Sequence, residues 1–387
     1  MRLHAELARG ALARRADRAL VPAARDRWSF SETSLLLHVE PEKISAGNVL
    51  SWLRERVSGA FDPRTGKAWQ LSAANTTDGG SVLSLVCAHA IADGAAMIDA
   101  VLRANGTAPA LPAPARPRLP AALLSDVVDA AGQLRDVARW AVRARIPKSP
   151  PGQPKPVENR AADPQWTVPH VIAECDTAEL AAAAGRHGGS VTTLFAAALT
   201  RIARSTSAPD AETIKVALPV SGRTEDDTRC NTTRIAMAAF TADALGTRDL
   251  AALKEESKRA YRALATPAPQ AVPLALLQML PDRVIRKLPA PPPATVLASS
   301  LGTVPEEFRT IGGAEATSVA ATAHYPGIGP AEVATIGRGV IGWLTTAGER
   351  TTISVCGLDP AGIADTTRLA ELVTAEFADW GTGVTTW

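Results

Sequence analysis

The chain has 387 residues, more than a single hydrophobic core usually supports, so the sequence predicts two lobes of ordinary domain size. Apolar residues make up 46% and charged residues 21%, a composition that is typical of a globular protein and not of a disordered chain. A net charge of +2 argues against a dedicated nucleic-acid binder, so we expect no nucleic-acid partner.

The four cysteines are widely spaced, with no Cys-x-x-Cys pair and no Cys/His cluster at metal-ligand spacing. We therefore expect reduced thiols and no metal site. The first twenty residues interrupt their apolar positions with Arg and Glu, unlike the core of a signal peptide. No stretch reaches the roughly 18 uncharged apolar residues of a membrane span, so we expect a cytoplasmic protein with no membrane span.

The first hundred residues alternate short strands with a helix. Helical spacing of Leu50, Leu53 and Val57 predicts a helix over residues 48–61. Two apolar runs then flank the turn-forming sequence NTTDGG, a pattern that predicts a β-hairpin. His89 follows the second run, so it lies at the end of a strand.

A change of composition marks the middle of the chain. Two Pro-rich stretches flank one amphipathic helix, and the apolar stripe of this helix contains Leu124, Val128, Ala131, Leu134 and Ala138. We interpret this segment as the crossing between two lobes. The predicted boundaries are residues 1–105 for the N-terminal lobe, 106–166 for the crossing and 167–387 for the C-terminal lobe.

The C-terminal lobe begins with a helix that Asp176 caps, a Gly-Gly break and a second helix from about Ser190. The predicted strands that follow are TIKVALPV, ATVLASSLGTV, ATSVAATAHY, VATIGRGVIGWLTT and RTTISVCGL. A final helix is predicted over residues 365–380. Each half thus mixes helices with largely antiparallel strands, which predicts an α+β fold of two sandwiches.

One short sequence, HAIADG, places His89, Asp93 and Gly94 at the break between a strand and a helix. An imidazole at a strand end is suited to general-base catalysis, because its unperturbed pKa of ~6.5 lies near the working pH. The carboxylate can pair with an arginine, and the glycine permits a tight turn or a close backbone approach. The alternative is purely structural, with a satisfied histidine and Asp93 as the cap of the helix that begins DGAAMIDA.

HAIADG resembles the HxxxDG motif of the CoA-dependent acyltransferase superfamily, which includes chloramphenicol acetyltransferases, plant BAHD acyltransferases, condensation domains, polyketide-associated acyltransferases and wax ester synthases. Three further stretches are similar to this family in the same order. LAAAAGRHGGSVTTLFAAALTRIA resembles its second-lobe helix pair, KVALPVSGR resembles its strand and turn ending in Arg, and LASSLGTVP resembles its SNLG stretch. The resemblance therefore covers most of the chain.

The resemblance implies two chloramphenicol-acetyltransferase-like lobes with a tunnel between them. It implies that His89 is the general base and that Asp93 forms a structural ion pair with Arg223. Backbone groups near Gly94 and the hydroxyls of Ser299 and Ser300 are candidate oxyanion donors, and His324 is a candidate for positioning substrate.

The implied reaction moves an acyl group to a small-molecule alcohol or amine acceptor. Its donor is an acyl-CoA or a phosphopantetheinyl thioester on an acyl or peptidyl carrier protein, with no permanently bound cofactor and no metal. We expect this chemistry to serve natural-product or lipid biosynthesis.

The sequence departs from the family pattern at several positions. Ala88 stands where many members have a first motif histidine, Ser300 replaces the Asn of SNLG, and the DFGWG element of the plant branch has no clear match. These departures keep two alternatives open. One is a catalytically degenerate condensation-like protein that binds a carrier protein or a partner enzyme, and the other is a different reaction, such as cyclisation, on the same scaffold.

Overall fold

The computed structural model describes residues 2–59, 61–109, 111, 114–115, 117–143, 163, 165–265, 274–280 and 294–387. Within these residues, two small sheets and three α-helices precede the predicted crossing. The elements are α1 (Arg2–Leu7), β1 (Arg14–Asp17), β2 (Arg27–Phe30), β3 (His38–Val39), α2 (Val49–Val57), β4 (Trp69–Asn75), β5 (Ser81–Cys87) and α3 (Gly94–Ala104). Strands β1 and β2 pair with each other, and β3, β4 and β5 form a second sheet in that order.

The predicted hairpin is present as β4 and β5, which pair antiparallel from Trp69 opposite Cys87 to Asn75 opposite Ser81. The predicted helix over residues 48–61 is present as α2 but ends at Val57. Trp69 is fully buried in a cluster that also contains residues of α1 and α3. This cluster fixes the end of β5, and with it the position of His89, against α3.

Helix α4 (Leu119–Arg143) lies within the predicted crossing, of which residues 110, 112–113, 116, 144–162 and 164 lie outside the described residues. The predicted helix is present, and its apolar stripe faces outward. Leu124, Val128 and Leu134 are 66%, 64% and 53% exposed. The buried residues of α4 are Ala122, Asp126, Ala130 and Gln133, on the opposite face.

Ionic and polar contacts explain why the acidic face of α4 is turned inward. Asp126 accepts a hydrogen bond from the backbone N–H of Leu20 at 2.7 Å and forms an ion pair with Arg27. Asp129 accepts from the backbone N–H of Arg25 at 2.8 Å and from its Nε at 2.9 Å. These contacts attach α4 to the segment around β2. Apolar periodicity alone cannot reveal such partners, because they come from a distant part of the sequence.

The C-terminal half contains one large sheet. Its elements are β6 (His170–Asp176), α5 (Thr177–Arg186), α6 (Val191–Thr206), β7 (Thr213–Ser221), β8 (Thr233–Thr241), α7 (Ala242–Gly246), α8 (Leu250–Ala263), α9 (Leu274–Met279), β9 (Val296–Thr303), α10 (Glu306–Arg309), β10 (Thr310–Ile311), β11 (Ala314–Glu315), α11 (Pro330–Ile336), β12 (Gly339–Ala347), β13 (Arg350–Leu358), α12 (Thr366–Asp379) and β14 (Thr385–Thr386). The strand order is β14-β6-β13-β12-β9-β7-β8. Strand β9 runs parallel to β12 and β7, and the other pairings in this sheet are antiparallel.

The predicted cap at Asp176 and the predicted helix start at Ser190 are present. The side chain of Asp176 accepts from the N–H of Glu179 at 2.9 Å, and that of Ser190 accepts from the N–H of Thr193 at 3.3 Å. Helix α6 is buried along most of its length and packs on the sheet. The contact with β12 requires a glycine, because a Cβ at Gly342 would come within 2.7 Å of a side-chain carbon on α6.

Two predicted strands differ from the structure. Residues 316–325 (ATSVAATAHY) form no strand, because both edges of the adjacent β13 already pair with β6 and β12. Side chains of β13 reach this segment instead, with Thr352 Oγ1 donating to the carbonyl of Val319 at 2.7 Å. In the predicted strand VATIGRGVIGWLTT, the first four residues belong to α11. Pro330 in its first turn and Gly337, with φ of 98° at its end, delimit this helix before β12 begins.

The described residues contain no helix that is both long and apolar enough to cross a lipid bilayer.

Candidate active site

His89 lies two residues beyond the end of β5, in the turn that leads into α3, and its side chain is exposed. Its Nδ1 atom is 3.4 Å from Nδ2 of Asn231, which belongs to the loop between β7 and β8. The imidazole of the N-terminal half therefore faces a loop of the C-terminal half. An exposed ring at such a junction is accessible to a substrate.

Asp93 is the N-cap of α3 and is 3% exposed. Its Oδ1 accepts from the N–H of Ala96 at 2.8 Å, and its Oδ2 accepts from the N–H of Thr232 at 2.8 Å. The hydroxyl of Thr233 also donates to Oδ2, at 3.2 Å. The carboxylate thus caps the helix and fixes the β7–β8 loop at the same time.

Arg223 completes the environment of Asp93. Its Nη2 lies 3.3 Å from Oδ1 of Asp93, and both side chains are largely buried. The same guanidinium donates to the backbone carbonyls of Asp227 at 2.8 Å and Arg229 at 2.9 Å. The ion pair therefore connects α3 to both ends of the loop that carries Asn231.

Burial by itself would raise the pKa of Asp93. The hydrogen bonds from the N–H groups of Thr232 and Ala96, together with the charge of Arg223, outweigh that effect, so the pKa lies below its ordinary value. Asp93 is consequently ionised near neutral pH, and its oxygens are occupied by donors. This geometry is suited to a structural role, in which Asp93 holds the β7–β8 loop against the start of α3.

Gly94 is the first residue of α3 and makes a close approach to β9. A Cβ at this position would come within 3.3 Å of Cδ2 of Leu301. Leu301 lies where the pairing of β9 with β12 shifts register, after Ser300. Ser299 and Ser300 are half-buried immediately before it. The structure therefore brings the end of β9 to the first turn of α3, next to the HAIADG turn.

His324 belongs to a different group of residues. Burial and the charge of Arg54 lower its pKa. Arg54 of α2 donates to the carbonyl of His170 at 3.0 Å, and the ring of His170 contacts Thr322 Oγ1 at 2.8 Å. This is a second place where the two halves meet. Within the described residues, His89 has a hydrogen-bond contact with Asn231 and none with His324.

Sequence reasoning missed Asn231. The stretch RCNTTR carries no catalytic pattern, and an Asn before a strand is an ordinary turn residue. Only the pairing of Asp93 with the β7–β8 loop brings Asn231 to His89. A signal that could have found it is its position eight residues after Arg223, in the same loop.

Across the described residues, no three His, Cys, Asp or Glu side chains come together in a group that could hold a metal. A surface cavity of about 620 Å³ lies between α6 and α12, lined by residues that include Arg201, Arg204 and Glu376. This cavity contains none of the predicted site residues. The tunnel between the lobes stays a prediction.

Three solved structures share the fold of this chain. The condensation domain from the monacolin K polyketide synthase MokA is 14% identical, with a TM-score of 0.56, and the match covers 100% of this chain and 90% of that one. A wax ester synthase/diacylglycerol acyltransferase from Marinobacter aquaeolei VT8 is 13% identical, with a TM-score of 0.53, over 95% and 85% of the two chains. The epimerization domain from the third module of tyrocidine synthetase B is 14% identical, with a TM-score of 0.50, over 98% and 86%.

No protein-family model matches the chain, and no curated protein matches it. At these identities the structural likeness concerns the fold alone. The chain therefore has the two-lobed α+β fold of condensation domains, which confirms the fold class expected from the sequence. A shared fold does not fix the activity, which depends on the residues of the site.

Proposed function

We propose that this protein is an acyltransferase that moves an acyl group from a CoA or carrier-protein thioester to a hydroxyl or amine of a small molecule. The observation that carries the proposal is the placement of His89. Its ring is exposed at the junction of the two halves, on a turn anchored by the buried pair of Asp93 and Arg223. A base that must meet two substrates needs both features, access and a fixed backbone.

In the proposed reaction, His89 takes the proton of the acceptor's hydroxyl or amine while the oxygen or nitrogen attacks the thioester carbonyl. The tetrahedral intermediate then collapses, the C–S bond breaks, and the proton passes from His89 to the leaving thiolate. No acyl-enzyme is formed, because the turn supplies a base without an adjacent nucleophile. Donors for the oxyanion would come from backbone groups near Gly94 and from the hydroxyls of Ser299 and Ser300.

The leaving group is the thiol of the donor, either CoA or phosphopantetheine. The proposed reaction therefore needs no permanently bound cofactor. An acyl or peptidyl carrier protein is a proposed partner because condensation-type domains share this fold. Natural-product or lipid biosynthesis is the proposed setting.

A second candidate is a catalytically degenerate protein that binds a carrier protein or a partner enzyme without transferring acyl groups. Ala88 favours this candidate, because it occupies the position of the first histidine in many members of the resembling family. His89, Asp93 and Gly94 oppose it.

The test measures acyl transfer by intact-mass spectrometry, with panels of acyl-CoA and acyl-carrier-protein donors and alcohol and amine acceptors. We expect His89→Ala to lower kcat by ~10²-fold or more, the contribution of a positioned base, with little change in Tm. His187→Ala is the matched control, since it removes an imidazole at the end of α5. Turnover of His89→Ala close to wild type would contradict the proposal, and donor binding without transfer by the wild type would favour the degenerate protein.

A further inference from the structure

Helix α4 exposes a continuous apolar surface, which we call its outward face. At about 1.5 Å per residue, the 25 residues of α4 extend over ~37 Å. The large apolar side chains of the outward face recur at helical spacing and are 47–88% exposed: Leu119, Leu123, Leu124, Val127, Val128, Leu134 and Val142. A surface helix ordinarily turns such a stripe toward the core, so the arrangement in α4 is reversed.

The contacts on the opposite side of α4 hold the helix in this orientation. Asp126 is 1% exposed and pairs with Arg27, and Asp129 pairs with Arg25. Helix α4 is therefore attached to the protein through its carboxylates. The apolar side chains are presented to solvent on a fixed helix, and a partner can bind them without any rearrangement of the protein.

The exposed charges on and beside the outward face are mostly positive. Arg135 and Arg139 are 65% and 60% exposed, and Arg118 is exposed just before the helix. Asp136 is the one exposed carboxylate among the described side chains of α4, and it lies 3.6 Å from Arg139 and 3.9 Å from Arg135. The next residues, 144–160, lie outside the described residues, and their sequence adds four basic residues and one acidic residue. The electrostatic complement of this surface is an anionic partner.

We propose that the outward face of α4 docks the protein on the surface of an anionic lipid bilayer. The leucines and valines enter the boundary between the headgroups and the acyl chains, and Arg135 and Arg139 reach the lipid phosphates with their guanidinium groups. In this arrangement α4 lies in the plane of the membrane and does not cross it. The inference goes beyond the proposed acyl transfer and does not depend on it.

Two other occupants fit the outward face less well. The residues that dominate protein–protein interfaces are Trp, Tyr and Arg, whereas Leu and Val are under-represented, and the large apolar residues that α4 exposes are all Leu or Val. A second copy paired antiparallel about a two-fold axis would place Arg135 and Arg139 against the N-terminal half of its partner helix. Among the described residues, that half exposes no carboxylate, because Asp126 and Asp129 face their own protein.

The test is co-sedimentation of the full chain with two kinds of vesicle, one of phosphatidylcholine alone and one of equal parts phosphatidylcholine and phosphatidylglycerol. We expect binding to the anionic vesicles at low salt and weaker binding to the neutral ones. Binding to the anionic vesicles should decline as salt is added, because salt screens exposed charges. Equal binding to both kinds of vesicle, or binding to neither, would overturn the proposal.

The double variant Leu124→Gln/Val128→Gln tests the apolar contribution. These side chains are 66% and 64% exposed, so Tm should hardly change, while partition into anionic vesicles should fall by ~10-fold or more. The matched control is Leu36→Gln/Val39→Gln, which removes the same two types of side chain outside α4 at 83% and 60% exposure. Equal vesicle binding by the wild type and Leu124→Gln/Val128→Gln would show that the outward face is not the membrane contact.

The double variant Arg135→Gln/Arg139→Gln tests the electrostatic contribution. Its affinity for anionic vesicles should fall by about 10-fold or more and should depend less on salt, because each cationic side chain near a membrane surface strengthens binding severalfold. Arg9→Gln/Arg259→Gln is the control, since it removes two arginines outside α4 that are 73% and 77% exposed. An unchanged affinity, or the same loss in the control, would contradict the role of the α4 arginines.

Sedimentation velocity without lipid tests the competing occupant. We expect the wild type to be a monomer at all concentrations measured. A dimer that Leu124→Gln/Val128→Gln converts to a monomer would mean that a second copy covers the outward face, and the membrane proposal would then be wrong. None of these measurements requires acyl transfer, so their outcome is independent of the proposed function.

Discussion

The guanidinium of Arg223 lies 3.3 Å from the carboxylate of Asp93, and 130 residues separate them in the chain. The pair fastens the β7–β8 loop to the start of α3. His89 and Asn231 lie on the two segments that this pair joins. The geometry around His89 therefore depends on an ion pair that does not itself contact the ring.

Asp93→Ala should destabilise the protein by about 3 kcal/mol, because it leaves the buried Arg223 charge unpaired and removes the α3 cap. His89→Ala should change the free energy of unfolding much less, since that side chain is exposed. Urea denaturation of both variants measures the difference. The control is Asp226→Asn, which neutralises an exposed carboxylate of the same loop and tolerates the φ of 61° at this position. Equal stability of Asp93→Ala and wild type would contradict the anchoring role.

Low pH should weaken the contribution of Asp93 to the stability of the protein. The pKa of Asp93 is lowered from the ordinary value of 3.8, so its contribution to stability is fully present above that value. The contribution is lost as the pH falls below 3.8 and through the lower pKa of the folded state. Asp93→Asn cannot titrate, so the stability difference between wild type and this variant should shrink over that acidic range in urea denaturation. A difference that stays constant with pH would show that the carboxylate charge is not involved.

His170 should make stability depend on pH in a higher range. Burial, followed by the charges of Arg54 and His324, lowers the pKa of His170 from 6.5 to about 4. Between these values the unfolded chain binds the proton and the folded protein does not, so stability should fall as the pH drops from 6.5 to about 4 and level off below. Urea denaturation should show a smaller loss for His170→Gln over this range. His187→Gln is the control, and an identical loss in wild type and His170→Gln would contradict the assignment.

The orientation of helix α4, with its apolar stripe exposed and Asp126 buried, can be tested by two substitutions. Leu124→Gln should change the free energy of unfolding by only about 0.5 kcal/mol, because Leu124 is 66% exposed and Gln is a good helix former. Asp126→Ala should cost about 3 kcal/mol, since it leaves Arg27 and the N–H of Leu20 without their buried partner. Thermal and urea denaturation compare the two. A larger loss for Leu124→Gln would mean that the apolar face is covered in solution.

The sequence by itself determined the elements whose signals are local. The β4–β5 hairpin follows from two apolar runs around a turn, and the cap Asp176 follows from the preference of short polar side chains for orphan N–H groups. The HAIADG turn was visible for the same reason, because His89, Asp93 and Gly94 lie within six residues. The family resemblance supplied the pairing of Asp93 with Arg223.

Only the tertiary structure decided what depends on distant partners. Residues 316–325 have the apolar pattern of a strand, yet β13 has no free edge for them. Helix α4 has a clear apolar stripe, yet Asp126 and Asp129 form ion pairs with arginines of the N-terminal segment, and the stripe therefore faces outward. Asn231 reaches His89 across 142 residues of sequence. In each case the deciding contact joins segments far apart in the chain, and local periodicity carries no information about which partner a face will meet.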